Sequence, residues 1–242
     1  MKKFGLLGKR LDYSFSRNFF TEFFRKNDIQ ANYENFETAD LDGWIKTKGY
    51  EGLSGFNVTI PYKEGILSYL DHIDKEATAI GAVNTVKIEN GILTGYNTDA
   101  FGFRQSIKPF LNNKHERALI LGTGGAAKAV EYVLKEIGID VFYLSTSRTG
   151  EKIYTYEAAN RYMMDACKMI INCTPVGTFP AVEDIPAIPV EFISEEHFVV
   201  DLIYNPEKTR LLQEAEKRGA IILNGESMLK EQALKAWDIW NQ

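Results

Sequence analysis

The sequence predicts an α/β fold in two parts, an amino-terminal α/β domain followed by a Rossmann-like domain, and three features of its 242 residues carry that prediction. Short apolar runs alternate with segments of helical period, the pattern of strands and helices packed in layers. Residues 118–127 read ALILGTGGAA, a compact apolar strand that enters a glycine-rich turn and then a helix with Val130, Val133, Leu134 and Ile137 on one face. From there strands recur at helix-sized intervals, at 139–144, 168–173, 198–204 and 220–223. Such alternation gives a parallel sheet with ligands at the carboxyl ends of its strands.

Composition narrows the class. The formal net charge of −5 lacks the basic excess that nucleic-acid binding requires. No apolar run reaches the length of a membrane span, and the start, MKKFGLLGKR, returns to charge and glycine too soon for a signal peptide. A cytoplasmic location is expected, with Cys167 and Cys173 as thiols rather than a disulfide. His72, His115 and His197 are the only histidines and none lies in a polar cluster, so a lysine and aspartate pair is the better acid–base candidate, and no metal site is expected.

Taken in order, residues 3–7 read as a strand feeding a loop over 8–13. Ser14 and Ser16 follow at alternate positions, which in an extended loop aims both hydroxyls the same way and offers two donors to one carboxylate. Ser16 serves equally well as the cap of the next helix, whose Phe19, Phe20, Phe23 and Phe24 form a core stripe. A weaker strand at 33–36 leads to a short helix with Leu41, Trp44 and Ile45. Phe56, Val58 and Ile60 then alternate with Asn57 and Thr59, giving a strand with one apolar and one polar face. Pro61 ends it and opens a helix carrying Ile66, Leu67 and Leu70. Lys63 sits in the first turn of that helix, against the positive end of the dipole. Propensity and electrostatics both leave this lysine unexplained; a functional role accounts for it.

A further helix ends near Gly81, and Asn90-Gly91 between two β-rich runs signals a hairpin. Asn84-Thr85 lie at its entry and Asn97-Thr98-Asp99 at its exit, so Asn84 and Asp99 are predicted neighbours. Asp99 also starts a helix carrying Phe103, Ile107 and Phe110. Capping explains Asp99 alone but not the polar side chains gathered beside it.

In the second part, strand, glycine turn and helix in that order form the context of a dinucleotide site. Gly122, Gly124, Gly125 and Ala126 let the backbone approach a pyrophosphate at the helix amino terminus, with Ala127 at the position of the third glycine. NAD proteins usually place an acidic residue at the tip of the second strand; here the chain reads Ser145-Thr146-Ser147-Arg148-Thr149, with Lys152 shortly after. Hydroxyls and cations suit a 2′-phosphate, so NADP is the expected cofactor. Thr174 leaves the third strand at the same edge and Tyr204 the fourth, and residues 207–218 form a helix between the last two strands. Gly225 leads into a final helix with Met228, Trp237 and Trp240, where Gln232 is polar amid an apolar face.

Ser-x-Ser at 14–16, NVTIPYK at 57–63, AVNT at 82–85 and NTD at 97–99 are followed by GTGGAA at 122–127, TSRT at 146–149 and INCTPVG at 171–177. DLIYNP at 201–206 and NGESMLKEQA at 224–233 complete the series. Together and in this order they resemble the shikimate dehydrogenase family along essentially the whole chain. The resemblance implies a substrate-binding α/β domain (1–99 and 226–242) and an NADP-binding Rossmann-like domain (100–225), with the active-site cleft between them. It implies reversible NADPH-dependent reduction of 3-dehydroshikimate to shikimate, a step of chorismate and aromatic amino-acid biosynthesis. By motif position, Ser14, Ser16 and Tyr204 would hold the substrate carboxylate. Thr59, Asn84, Asp99 and Gln232 would hold ring hydroxyls, with Lys63 and Asp99 as the catalytic pair. Gly122, Gly124, Gly125, Ala126, Ser147, Arg148, Thr149, Lys152, Thr174, Leu202, Gly225 and Met228 would line the cofactor site. Arg17 stands where the family usually has proline and Tyr13 where it often has histidine. Alternatives within the resemblance are a quinate or aminoshikimate dehydrogenase, or a catalytically idle relative that senses shikimate and NADP. The expected partners are small molecules, with no nucleic acid and no membrane, and the protein is expected to be a monomer or homodimer.

Overall fold

The computed structural model describes residues 1–11 and 15–242, in two compact units. The first comprises Met1–Gly102 and Leu229–Gln242, the second Phe103–Met228. The expected boundaries, 99/100 and 225/226, each fall three residues earlier than these.

The first unit runs β1 (Lys2–Gly8), α1 (Phe15–Lys26), β2 (Ala31–Glu37), α2 (Leu41–Lys46), β3 (Gly55–Val58), β4 (His72–Ile73), α3 (Lys75–Ile80), β5 (Thr85–Glu89) and β6 (Ile92–Tyr96). The opening residues of α4 (Thr98–Ile107) also belong to it. Its described strands form a sheet in the order β2-β1-β3-β5-β6-β4. β1 is parallel to β2 and β3, whereas β3, β5 and β6 pair antiparallel, with Asn57 opposite Thr85 and Thr85 opposite Tyr96. The β5–β6 turn has Asn90 at φ 53° and Gly91 at φ 81°, the left-handed pair that a type I′ hairpin needs.

An aromatic cluster holds the elements of this unit together. Phe20 and Phe24 of α1 pack on Phe4 and Tyr33, and Trp240 stacks on Phe4 at 4.6 Å. The Trp240 indole N–H donates to the Val86 carbonyl at 2.9 Å and lies against Gly55, where an added Cβ would sit 2.3 Å from Nε1 and 2.7 Å from the Val86 oxygen. This contact fixes the carboxyl-terminal helix on the sheet and so places Gln232, two turns earlier. Gly55→Ala is expected to lower unfolding stability by about 1–3 kcal/mol through overpacking, as read from the midpoint of chemical denaturation.

The segment around Pro61 departs from the sequence expectation. β3 ends at Val58 and is buried on both faces, Asn57 included, while Ile60 is 70% exposed. No α-helix follows. Residues 60–64 form turns and Gly65–Tyr69 a 3-10 helix. Only nine residues separate Pro61 from Asp71, whose backbone N–H bonds to the Leu93 carbonyl and whose carboxylate takes the Leu93 N–H at 2.8 Å. The chain therefore returns to the sheet, as β4, before an amphipathic helix has room to form, and Gly65 disfavours one.

The second unit runs β7 (Arg117–Leu121), α5 (Gly125–Glu136), β8 (Asp140–Leu144), β9 (Ile153–Tyr154), α6 (Arg161–Ala166), β10 (Met169–Asn172), β11 (Phe198–Asp201), α7 (Arg210–Glu216) and β12 (Ile221–Leu223). It ends in the first residues of α8 (Glu226–Asn241). Its sheet is parallel throughout, in the order β12-β11-β10-β7-β8-β9, the doubly wound arrangement. The direction of winding reverses between β7 and β10. The interval 173–197 holds no α-helix, only a 3-10 turn at Val190–Phe192, because Pro175, Pro180, Pro186 and Pro189 each remove a helix donor. No helix among the described residues is long and apolar enough to cross a membrane.

Candidate active site

The β5–β6 hairpin brings its two polar ends together. Asn97 accepts the Ala100 N–H at 3.1 Å through Oδ1 and so caps α4, while its Nδ2 donates to the Ala82 carbonyl at 2.9 Å. Asp99 is thereby released from capping. Its Oδ1 takes Asn84 Nδ2 at 2.8 Å and its Oδ2 takes Lys63 Nζ at 2.6 Å. The turn that carries Lys63 is tied to the hairpin entry by the Val83 N–H, which donates to the Lys63 carbonyl at 2.8 Å. Side-chain exposures of 15% for Lys63 and 7% for Asp99 keep bulk water from screening the pair, unlike a surface ion pair. Lys63 is positioned by this carboxylate, not by a helix.

An ionised carboxylate only accepts, so Asp99 sets the orientation of the groups around it. Asn84 must turn Nδ2 toward Asp99, leaving its Oδ1 for the Thr98 N–H at 2.7 Å. The same Nδ2 lies 3.2 Å from Gln232 Oε1, which the Thr98 hydroxyl also approaches at 3.3 Å. With its oxygen engaged, Gln232 has its amide nitrogen left to offer a ligand. A donor amide, an ammonium and a carboxylate thus converge in one place, a set suited to adjacent hydroxyls.

Behind this set runs a second row that sequence reasoning did not resolve. Asn57 Nδ2 donates to Thr85 Oγ1 at 3.0 Å and to the Asn84 carbonyl at 3.2 Å, and the Tyr33 hydroxyl donates to Asn57 Oδ1 at 2.8 Å. Burial pushes the Tyr33 phenol far above its usual range, against a smaller opposing effect of its hydrogen bond with Ser16. Ser16 is buried and is the second residue of α1, not part of an extended loop, and Ser14 lies outside the described residues. The signal available in the sequence is Asn57 itself, a polar residue between Phe56 and Val58 in a strand buried on both faces. Thr59 follows β3 at the carboxyl edge, half-buried, its N–H bonded to the Leu7 carbonyl at 2.9 Å.

In the second unit, the exits of β7 and β10 meet where the winding reverses. Gly122 has φ +93°, and a Cβ there would lie 2.9 Å from the Thr174 methyl. A cavity of about 720 Å³ opens beside it, lined by Gly122, Thr123, Ser145, Thr146, Ser147, Tyr156, Glu157, Thr174, Pro175, Val176 and Pro186 among others. Gly124 is the N-cap of α5 without a side-chain acceptor, and a Cβ on it would meet nothing within 4 Å. The first-turn N–H groups, Gly125 and Ala126 among them, therefore have both the need and the space for an anion. Ala127 is buried and packs α5 onto the sheet.

At the tip of β8, Ser145 Oγ accepts the N–H groups of Ser147 and Arg148 at 3.3 and 3.0 Å, which folds the loop back and leaves Arg148 and Thr149 exposed. The loop 145–149 itself contains no carboxylate, although Glu157 lines the same cavity, and the loop's hydroxyls and Arg148 fit a dinucleotide bearing a 2′-phosphate. Lys152 is not among the residues lining the cavity. It adopts φ 57°, and its side chain runs back along β8, pairing with Asp140 at 2.5 Å and lying over the Phe142 ring. The Leu202 N–H bonds to the Asn172 carbonyl, and Gly225 lies so close to Leu202 that a Cβ would sit 2.1 Å from the Leu202 oxygen. Met228 is buried and Tyr204 half-buried beyond β11. Among the described residues, no group of three or more His, Cys, Asp or Glu could hold a metal ion.

Residues 6–86 match the profile of the shikimate dehydrogenase substrate binding domain. The chain is 38% identical to shikimate dehydrogenase (NADP(+)) of Clostridium botulinum strain Hall over 246 residues, covering 98% of this chain and 95% of that protein. The crystal structure of shikimate dehydrogenase from Aquifex aeolicus aligns with a TM-score of 0.88 at 36% identity, over 100% of this chain and 92% of the other. That of the Thermus thermophilus enzyme in complex with NADP(H) and shikimate aligns with a TM-score of 0.86 at 33% identity, over 99% and 93%.

Proposed function

The chain belongs to the shikimate dehydrogenase family, and we propose that it catalyses the reversible NADPH-dependent reduction of 3-dehydroshikimate to shikimate. The observation that carries the proposal is the Lys63–Asp99 pair at 2.6 Å, flanked by Asn84 and Gln232. The dinucleotide, when bound, supplies the hydride for the ring ketone. Lys63 stabilises the negative charge that develops on the ketone oxygen and delivers the proton to it. Asp99 holds the Lys63 ammonium in place and accepts from a neighbouring ring hydroxyl. Asn84, Gln232 and Thr59 position the remaining hydroxyls, and Ser14, Ser16 and Tyr204 take the carboxylate. A cytoplasmic location is part of this proposal, in keeping with Cys167 and Cys173 standing as thiols and not joined in a disulfide.

Initial rates with shikimate and with quinate, each with NADP and with NAD, test this reading. The shikimate and NADP combination is expected to give the highest kcat/KM; a preference for quinate or for NAD would reassign the substrate or the cofactor. Arg148→Ala is expected to lower kcat/KM for NADPH roughly 10- to 100-fold, the scale of a lost hydrogen bond to a charged group, and to leave NADH use little changed. Equal losses with both cofactors would remove the role of Arg148 at the 2′-phosphate.

A further inference from the structure

The buried carboxylate of Asp201, at the carboxyl end of β11, has no solvent exposure and receives three donors. Asn172 Nδ2 and the Ile203 N–H reach Oδ1 at 3.0 and 3.1 Å, and the Thr209 hydroxyl reaches Oδ2 at 2.7 Å. The groups facing it from β10, from the exit of β11 and from the start of α7 are thus Asn172, Ile203 and Thr209, none of them charged. Burial without a facing cation pushes its carboxyl up to about 6, and because Oδ1 already takes the backbone N–H of Ile203, that oxygen can only accept from Asn172.

That single property runs outward along a chain of bonds. Asn172 must turn its amide nitrogen to Asp201, so its Oδ1 faces the other way and accepts the Thr174 N–H at 3.0 Å and the Thr174 hydroxyl at 2.6 Å. With its proton spent inward, the Thr174 oxygen accepts the Val176 N–H at 3.3 Å, and Asn172 Nδ2 also reaches the Val176 carbonyl at 3.3 Å. Thr174 and Val176 line the cavity beside Gly122. A reversed Asn172 would set its NH₂ against the Thr174 N–H and its oxygen against Asp201, and so disrupt the bonds its own amide makes here.

We infer that Asp201 is a positioning residue of the dinucleotide site, fixing the orientation of Asn172 and, through it, the loop at 174–176 that forms one wall of the cavity. The inference rests on the reading of this cavity as the NADP site. It is tested by equilibrium titration of the whole protein with NADP and, separately, with shikimate, alongside thermal melts. Asn172→Asp sets two carboxylates face to face and is expected to raise the NADP Kd tenfold or more with the shikimate Kd within twofold. Adding Asp201→Asn removes the facing like charge, although an NH₂ turned to residue 172 meets the Ile203 N–H, so the NADP Kd is expected to recover in part, to a value between those of Asn172→Asp and wild type. Asp201→Ala, which leaves Asn172 without its acceptor, is expected to raise the NADP Kd as Asn172→Asp does and gives the same reading should the latter fail to fold. A double variant as impaired as Asn172→Asp, a shikimate Kd that moves in step, or a folded Asp201→Ala with the wild-type NADP Kd would each overturn the inference. Wild-type protein that binds no NADP would instead contradict the cofactor reading itself.

Discussion

Replacing Lys63 with methionine is expected to lower kcat for shikimate oxidation by about 10²–10⁴-fold, or about 3–5 kcal/mol in the barrier, with the shikimate KM within severalfold of wild type. Methionine preserves much of the aliphatic stem, so the mostly buried position stays filled while the ammonium is lost. Asn84 still satisfies one oxygen of Asp99, and the hairpin that frames the site keeps its bonds. Steady-state rates, with a thermal melt as control for folding, read the result. A kcat near that of wild type would reduce Lys63 to a binding residue.

Asp99→Asn is expected to have the second-largest effect, a fall in kcat of roughly 10²–10³-fold together with a raised shikimate KM. The new amide is nearly isosteric but cannot accept on both sides. If its oxygen keeps Asn84 Nδ2, its NH₂ faces the Lys63 ammonium; if it turns, its NH₂ faces Asn84. Either way a donor meets a donor, and Lys63 loses the contact that places it. The Lys63→Met/Asp99→Asn double variant is expected to be little worse than the poorer single variant, because residues acting as a unit do not contribute additively. Losses that multiply would show two independent roles.

Much of this is legible in the sequence, for reasons particular to each stretch. Asn90-Gly91 admits few turns other than the one observed, and once the hairpin is granted, the meeting of Asn84 with Asp99 follows from antiparallel pairing. The strand, glycine turn and helix at 117–136 require the short-range geometry found there, including the positive φ of Gly122. The segment after Pro61 reads wrongly as an α-helix because Ile66, Leu67 and Leu70 have helical spacing, whereas the sheet partner of Asp71, Leu93, lies far along the chain. Sequence proximity alone places Lys152 with the phosphate-binding residues; its competing partner, Asp140, is visible only once β9 is seen to fold back beside β8. Tyr33 carries no motif and Asn57 only opens NVTIPYK, and their role behind Asn84 depends on the register of β3 against β5.

The most direct measurement of the central claim is a crystal structure of the protein with shikimate bound. One ring hydroxyl is expected within about 2.6–3.2 Å of both Lys63 Nζ and an Asp99 carboxylate oxygen, with Asn84 and Gln232 on the adjacent hydroxyls. Shikimate bound with its ring hydroxyls away from Lys63 and Asp99, or turned so that only its carboxylate meets the ammonium, would contradict it.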